Sequence, residues 1–236
     1  MAVTVMDKIV IDKIPFSLDI NLLIDGLRLK DNTPASDVLT RLADDAMRIG
    51  RPKALYKISS AEYPDEESVV INKIAFHSRL LKNNLCESDI VLPFLCTCGT
   101  ELEEWSRQFT DIAQKYWVNT IQDLALGSAI KSVEASIQER CHPRNLSTMN
   151  PGSLDDWPIQ EQRNMFRLFG DDALRIGVTL TESLMMKPLK SMSGIFFASE
   201  KGFVNCQLCS LENCPGRRSP YQKSLTHSDK HKLHDV

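Results

Sequence analysis

Thr181-Glu182-Ser183-Leu184-Met185-Met186-Lys187-Pro188-Leu189-Lys190-Ser191-Met192-Ser193-Gly194 is too polar and too rich in small residues for a core segment, yet apolar runs flank it on both sides. Ile176 to Leu180 before it and Gly194 to Ala198 after it read as strands. A polar connection between two strands is where binding residues concentrate, because the strands hold its ends in fixed places. Read without that context, it is an ordinary long connection.

Upstream of this stretch the chain alternates irregularly between helical and extended patterns. Ile9 to Ile11 reads as a short strand, and Leu18, Leu22, Leu23 and Leu27 stand at helical spacing within 18–29. Ser36 to Ile49 is a second helix, stopped by Gly50 and Pro52. Ala54, Tyr56 and Ile58 alternate as in a strand, and Val69 to Ile71 is another strand candidate. The run Ile90 to Cys96 is apolar enough to be buried on both faces, with Pro93 arguing for an edge or a bulge. Thr100 and Glu103 have capping-box spacing, and a helical pattern runs from Leu102 through Trp105, Phe109, Ile112, Tyr116, Ile121 and Leu124 to about Arg140, as two helices or one bent one. Pro158 to Phe169 is a further helix, with Gly170 after its last turn. Strands and helices without strict alternation predict an α+β fold.

The chain has 236 residues, 42% hydrophobic and 25% charged, which is ordinary for a globular protein and excludes disorder, collagen and coiled coil. A chain of this size buries roughly 70–75% of the surface its unfolded form exposes, enough for a core without disulfide or metal staples. A net charge of -3 gives no field to hold a polyanion, so no nucleic acid is expected. The N-terminal MAVTVMDKIVIDKIPF carries charges where a signal peptide needs an apolar core, and no later run approaches the ~18 apolar residues of a membrane span. A cytoplasmic protein with no membrane partner is the expectation.

Seven cysteines are the unusual feature of this composition. In a reducing compartment, clustered thiols point to metal or redox chemistry. Cys206, Cys209 and Cys214 are spaced for a tight turn to aim sulfurs at one centre, an iron–sulfur cluster or alternatively zinc. Cys98, in the turn after the buried strand, is the candidate fourth ligand. Cys96, expected on the opposite strand face, and His227 are the other options. Pro151 and Gly152, ahead of Asp155, Asp156 and Pro158, read as turn chemistry before a helix, a place that can also hold an anion. Glycine-rich phosphate loops, the Gly-x-Ser-x-Gly elbow and His-Glu-x-x-His are all missing, which disfavours the usual hydrolases and nucleotide-binding enzymes.

Thr181-Glu182-Ser183, Met186, Pro188, Ser191, Ser193 and Gly194 together resemble the TES-x-AM-x-P-x-x-S-x-SG signature of the activation domain of cobalamin-dependent methionine synthase. The order Arg51 to Tyr56, Cys98 to Leu102, Pro151-Gly152 and then the signature is similar to short stand-alone relatives of that domain. The resemblance implies one activation-type domain over residues 1–203, with a twisted antiparallel sheet and flanking helices, and a cysteine-rich segment and polar tail over 204–236. It also implies an S-adenosylmethionine groove formed by Pro151, Gly152, Thr181, Glu182, Ser183, Pro188, Ser191, Ser193 and Gly194. Its partner would be a corrinoid protein or cobalamin-dependent methyltransferase that carries the cobalamin, with an electron donor for its reduction.

The implied function is reactivation, in which inactive cob(II)alamin is reduced and remethylated. A free-standing methionine synthase subunit, or a non-enzymatic adaptor with structural zinc, are the alternatives. The adenosylmethionine motif is incomplete, because Thr148 and Ser153 stand where the family has arginine and tyrosine, and Phe203 or Val204 stands in place of a second tyrosine. Losing a guanidinium typically removes a charge-assisted bond of about 1.5–3 kcal/mol, which Arg144 or Lys190 would have to replace.

Overall fold

The computed structural model describes residues 7–86, 88, 90–153, 156–199, 207 and 219–221. In chain order it contains β1 (Lys8–Ile11), α1 (Ile20–Gly26), α2 (Pro34–Ile49), β2 (Lys53–Lys57), β3 (Ala61–Glu62), β4 (Ser68–Ile71), β5 (Ile74–His77) and α3 (Arg79–Leu85). There follow β6 (Val91–Thr97), α4 (Thr100–Ser106), α5 (Ile112–Cys141), β7 (Leu146–Met149), α6 (Gln162–Phe169), α7 (Asp172–Arg175), β8 (Thr179–Leu180), β9 (Met186–Lys187) and β10 (Ser191–Ala198). Five strands form one antiparallel sheet in the order β1-β2-β6-β10-β7. The expected α+β class with an antiparallel sheet and flanking helices is what the chain adopts.

The two faces of this sheet carry two cores, as the period of two along a strand requires. On one face Ala54, Tyr56, Leu92, Phe94 and Phe196 meet α1, α2, α4 and the inner side of α5. Phe94 and Phe196 stack with ring centroids 4.3 Å apart at the middle of that layer. On the other face Leu55, Val91, Leu95, Ile195 and Phe197 meet the small sheet β3-β4-β5, with α3, α6 and α7. Covering on both sides explains why β6 is buried along its whole length. Fully burying one such side chain contributes about 1.5–3 kcal/mol, so the central strands anchor both layers.

Local signals start the helices. Thr33 and Ser36 form a reciprocal capping box ahead of α2, with Pro34 at its first position and Gly50 at its end. Asp19, Ser78 and Asp111 cap α1, α3 and α5 through their side chains. Long-range ion pairs tie the small α7 back to the sheet, with Asp172 at 2.7 Å from Lys8 and 3.2 Å from Lys57.

Several expectations require correction. Pro93 lies in the central strand, at neither an edge nor a bulge. Tyr56 faces Phe94, and Ser59 and Val91 exchange backbone bonds, so Lys57 would oppose Pro93 at a bonded position. Proline has no N–H to give there, and the ladder skips that pair without changing register. Thr100 and Glu103 form no capping box, because Gly99 is the cap of α4 and no side chain bonds there. The helical pattern resolves into two helices, but Ile112, Tyr116 and Leu124 are exposed rather than on the inner face. The extended run at Ile176 shrinks to Thr179–Leu180, since Ile176 and Gly177 turn the chain after α7. Cys96 and Cys98 share the helix-side core instead of opposite faces. Among the described residues, no helix is long and apolar enough to cross a membrane.

Candidate functional site

The signature stretch is built in two halves. Thr181 closes a tight turn between β8 and β9: its hydroxyl bonds Met185 O at 3.1 Å, receives Met185 N at 3.0 Å, and lies 3.0 Å from the Ser183 hydroxyl. Leu184 takes a left-handed backbone, φ 65°, inside this turn. The side chains of Glu182 and Ser183 are exposed at its tip, while the Glu182 carbonyl accepts a bond from Arg163 of α6.

The second half docks on the turn between β6 and α4. Ser191 donates to Pro188 O at 2.7 Å and to Thr97 Oγ1 at 3.0 Å, and the same Thr97 oxygen accepts from Gly99 N at 3.2 Å. Cys98 N bonds Lys190 O at 2.9 Å, and the Glu103 carboxylate accepts from Leu189 N. Lys190 pairs with Asp123 of α5 at 2.8 Å. Gly99, at φ 96°, is pressed so close to the Arg51 carbonyl that a Cβ would overlap it. The Arg51, Cys98-Gly99 and signature segments therefore meet in one place.

The Pro151-Gly152 turn joins the end of the signature. Met149 opposes Ile195 across β7 and β10, and Asn150 Nδ2 donates to Ser193 O at 2.7 Å. Buried Ser193 donates to Gln162 Oε1 of α6 at 2.8 Å. Gly194 leaves no space for a side chain, because a Cβ would overlap the Met149 carbonyl and stand 2.8 Å from the Phe94 ring. Pro151 is buried, and Gly152 turns outward at φ 80° with its N–H on Trp157 O at 2.8 Å. Of the nine residues expected at a cofactor groove, Thr181, Pro188, Ser191, Ser193 and Gly194 are engaged in holding the loop or buried beneath it. Glu182, Ser183 and Gly152 face outward. Thr97, Glu103, Asn150 and Gln162 do the holding. Sequence reading did not assign them that work, and only the Glu103 carboxylate carried a signal there, read as a cap.

Beside this loop, α4 and α5 enclose a groove of about 450 Å³. Glu103, Arg107, Lys115, Tyr116, Asn119, Gln122 and Leu189 line it. Glu103 pairs with Arg107 at 3.5 Å as well as with Leu189 N.

Cys98 is fully buried in the helix-side core with Leu102 and Phe94. Desolvation, assisted by the Glu103 carboxylate, pushes its thiol up to about 12. This placing is that of a small core residue. Cys206, Cys209, Cys214 and His227 lie outside the described residues. Among the described residues no cluster of His, Cys, Asp or Glu is placed to hold a metal. Thr148, where the resemblance expects arginine, is a buried residue of β7 opposite Phe196, and Ser153 is exposed. Arg144 lies on the exposed approach to β7, whereas Lys190 is already committed to Asp123.

Residues 153–206 match the family model described as "Vitamin B12 dependent methionine synthase, activation domain". That span contains the whole signature and β10. No curated protein matches the chain in sequence. Among solved structures, the fold is similar to one titled "Crystal Structure of the MetH Reactivation Domain bound to AdoHcy", with a TM-score of 0.58 and 14% identity. The likeness covers 82% of this chain and 78% of that one. At that identity it establishes the shared fold alone. In sequence over residues 153–206, and in fold over most of its length, the chain resembles the activation domain of vitamin B12-dependent methionine synthase.

Proposed function

We propose that this protein is a reactivation component for a cobalamin-dependent methyltransferase of the methionine synthase type. The family match across the signature carries the reading, and the similarity of fold to a reactivation domain bound to AdoHcy supports it. In this reading the body is residues 1–203 and the cysteine-rich segment is 204–236. A corrinoid protein docks against the signature loop and presents inactive cob(II)alamin. An electron donor reduces the cobalt by one electron. The cob(I)alamin formed then attacks the methyl carbon of S-adenosylmethionine, so that the S–CH3 bond breaks, a Co–C bond forms, and S-adenosylhomocysteine leaves.

Outward-facing Glu182, Ser183 and the Pro151-Gly152 turn are proposed to meet the nucleoside ligand. Thr181, Pro188, Ser191, Ser193 and Gly194 hold those groups in position through the bonds described above. Cys206, Cys209 and Cys214 are proposed to bind an iron–sulfur cluster, or zinc, which when bound supplies low-potential electron chemistry or a structural clip, respectively. Cys98, or alternatively Cys96 or His227, is proposed to supply the fourth ligand. Iron, sulfide and zinc assays on anaerobically prepared protein and its Cys206→Ser variant decide between the metals. Zinc without iron would overturn the cluster.

Isothermal titration with S-adenosylhomocysteine tests the ligand half of the reading. Saturable binding that Glu182→Ala weakens is expected, and a flat titration would overturn it. The buried threonine at position 148 favours a second reading, an adaptor that docks the corrinoid protein without transferring methyl. That reading predicts a flat titration together with retained binding of the corrinoid protein.

A further inference from the structure

We propose that Asp156 is a positioning residue, whose carboxylate fastens the Pro151-Gly152 turn to the start of α3 and so keeps that turn in the form that meets the nucleoside ligand. The inference rests on the ligand reading above and adds to it the residue that sets the turn.

One carboxylate oxygen makes both fastening bonds. Asp156 Oδ2 accepts from the Ser78 hydroxyl at 2.6 Å and from Leu80 N at 2.7 Å, two partners that stand 78 and 76 residues earlier in the chain. Leu80 N is among the amides that a helix leaves without an internal partner at its start. Ser78 in turn accepts from Leu81 N at 2.9 Å, and its own N–H bonds Glu67 O at 2.8 Å. Ser78 is buried and follows directly on β5, so Asp156 grips the corner where the small sheet passes into α3. Asp156 itself stands at the surface, and its replacement opens no cavity in the core.

The restraint passes from Asp156 to the turn through Trp157. Gly152 N donates to Trp157 O at 2.8 Å, which joins this neighbour of Asp156 directly to the turn. The Trp157 side chain is fully buried beside Phe76 of β5, with ring centroids 6.3 Å apart. Its indole N–H has no hydrogen-bond partner among the described residues. An unpaired buried donor opposes the burial of the ring, and the bonds of the adjacent Asp156 therefore matter more for keeping the segment in place. On the other side, Asn150 Nδ2 holds Ser193 O at 2.7 Å. Pro151-Gly152 is thus suspended between the signature strand β10 and α3, and Asp156 supplies the α3 end.

The test uses the full chain as wild type, Asp156→Ala, Asp156→Asn and Tyr63→Phe. Asparagine keeps a carbonyl oxygen that can accept both bonds, whereas alanine keeps none. Tyr63 donates to Leu85 O at the far end of α3 at 2.7 Å, so its phenylalanine variant loosens the same helix without touching the turn. Hydrogen–deuterium exchange of the ligand-free protein reads the turn itself, and titration with S-adenosylhomocysteine reads its use. Asp156→Ala should speed exchange in the peptide carrying Gly152 and weaken the ligand about tenfold, since apparent affinity falls with the fraction of protein that holds the competent turn. Asp156→Asn should stay within about twofold of wild type in both measurements, and Tyr63→Phe should lower Tm with affinity unchanged. Unchanged exchange in Asp156→Ala, or faster exchange with unchanged affinity, would overturn the inference and leave the ligand reading intact. Equal affinity losses in Asp156→Ala and Asp156→Asn would overturn it too, by showing that the charge serves the ligand rather than the held turn. A loss in Tyr63→Phe matching that of Asp156→Ala would overturn it as general loosening. A flat titration of wild type would overturn the ligand reading itself, and with it the role given to the turn.

Discussion

Replacing Gly194 by alanine tests how the signature is fastened to the sheet. The new methyl group would overlap the Met149 carbonyl, stand 2.5 Å from Asn150 Nδ2 and 2.8 Å from the Phe94 ring. Two of these neighbours cannot yield cheaply. Met149 is backbone in the β7–β10 ladder, and Phe94 is fixed in its stack with Phe196. The Asn150 amide can move only by giving up its 2.7 Å bond to Ser193 O. Overpacking of this sort costs about 1–3 kcal/mol, and the lost hydrogen bond about 0.5–1.5 kcal/mol more. A total near 2–4 kcal/mol corresponds to a Tm lower by about 5–15 °C for a chain of this length. Differential scanning fluorimetry measures it, with Gly127→Ala as control. Gly127 lies inside α5, and a Cβ there would meet nothing within 4 Å, so alanine should raise stability by roughly 0.5–1 kcal/mol. A Gly194→Ala protein melting within 2 °C of wild type, on the order of the smallest resolvable change, would refute the close-approach argument.

Ser193→Ala should cost about 1–3 kcal/mol in urea unfolding, because the buried Gln162 carbonyl loses its donor; a change below ~0.5 kcal/mol would show that the bond is not made. Burial alone would raise the Asp172 carboxyl, but hydrogen bonds from Lys8 and Lys57 outweigh it and hold it below the usual range. A depressed carboxyl contributes stability above its unfolded value of about 3.9 and loses it as pH falls through the folded value. Asp172→Asn should therefore be less stable than wild type at pH 7, with the difference vanishing under strongly acidic conditions; a constant difference across the acid limb would contradict this. Thiol labelling at pH 8 should modify exposed Cys86 rapidly, and Cys96 and Cys98 only after unfolding, since burial raises both of their pKa values. Mass spectrometry of the labelled peptides reads the order, and early labelling of Cys98 would contradict its burial in the core.

The elements that sequence patterns foretold are those with strong local causes. Gly50 stops α2 as its place after the apolar stripe of 36–49 predicts, and the apolar run at 90–96, read as buried on both faces, is the doubly covered strand β6. Where reading failed, tertiary contacts overrode the local rule. Pro93 ordinarily argues against a central strand, yet the sheet tolerates it because β10 pairs with β6 along its other side while the β2 ladder skips one bond. Glu103 has capping spacing, but its carboxylate is drawn away to Leu189 N, which arrives from 86 residues further on. Nothing in a linear sequence announces that competition. Ile112, Tyr116 and Leu124 fit a helical stripe and are nonetheless exposed. The first two lie on the opening turns of α5, and Tyr116 borders the groove beside Leu189. Within the signature, residue types pointed to a binding loop, while the division between groups that hold it and groups that face outward emerged only from the hydrogen bonds.

The most direct measurement follows cobalamin on a purified corrinoid-binding methionine synthase module, starting from cob(II)alamin with S-adenosylmethionine and a low-potential reductant. Absorption spectra are recorded with this protein present and absent. Methylcobalamin should accumulate with this protein present, one S-adenosylhomocysteine appearing for each methyl transferred, and should not form when the protein is omitted. Equal conversion with and without it would contradict the proposed role in reactivation.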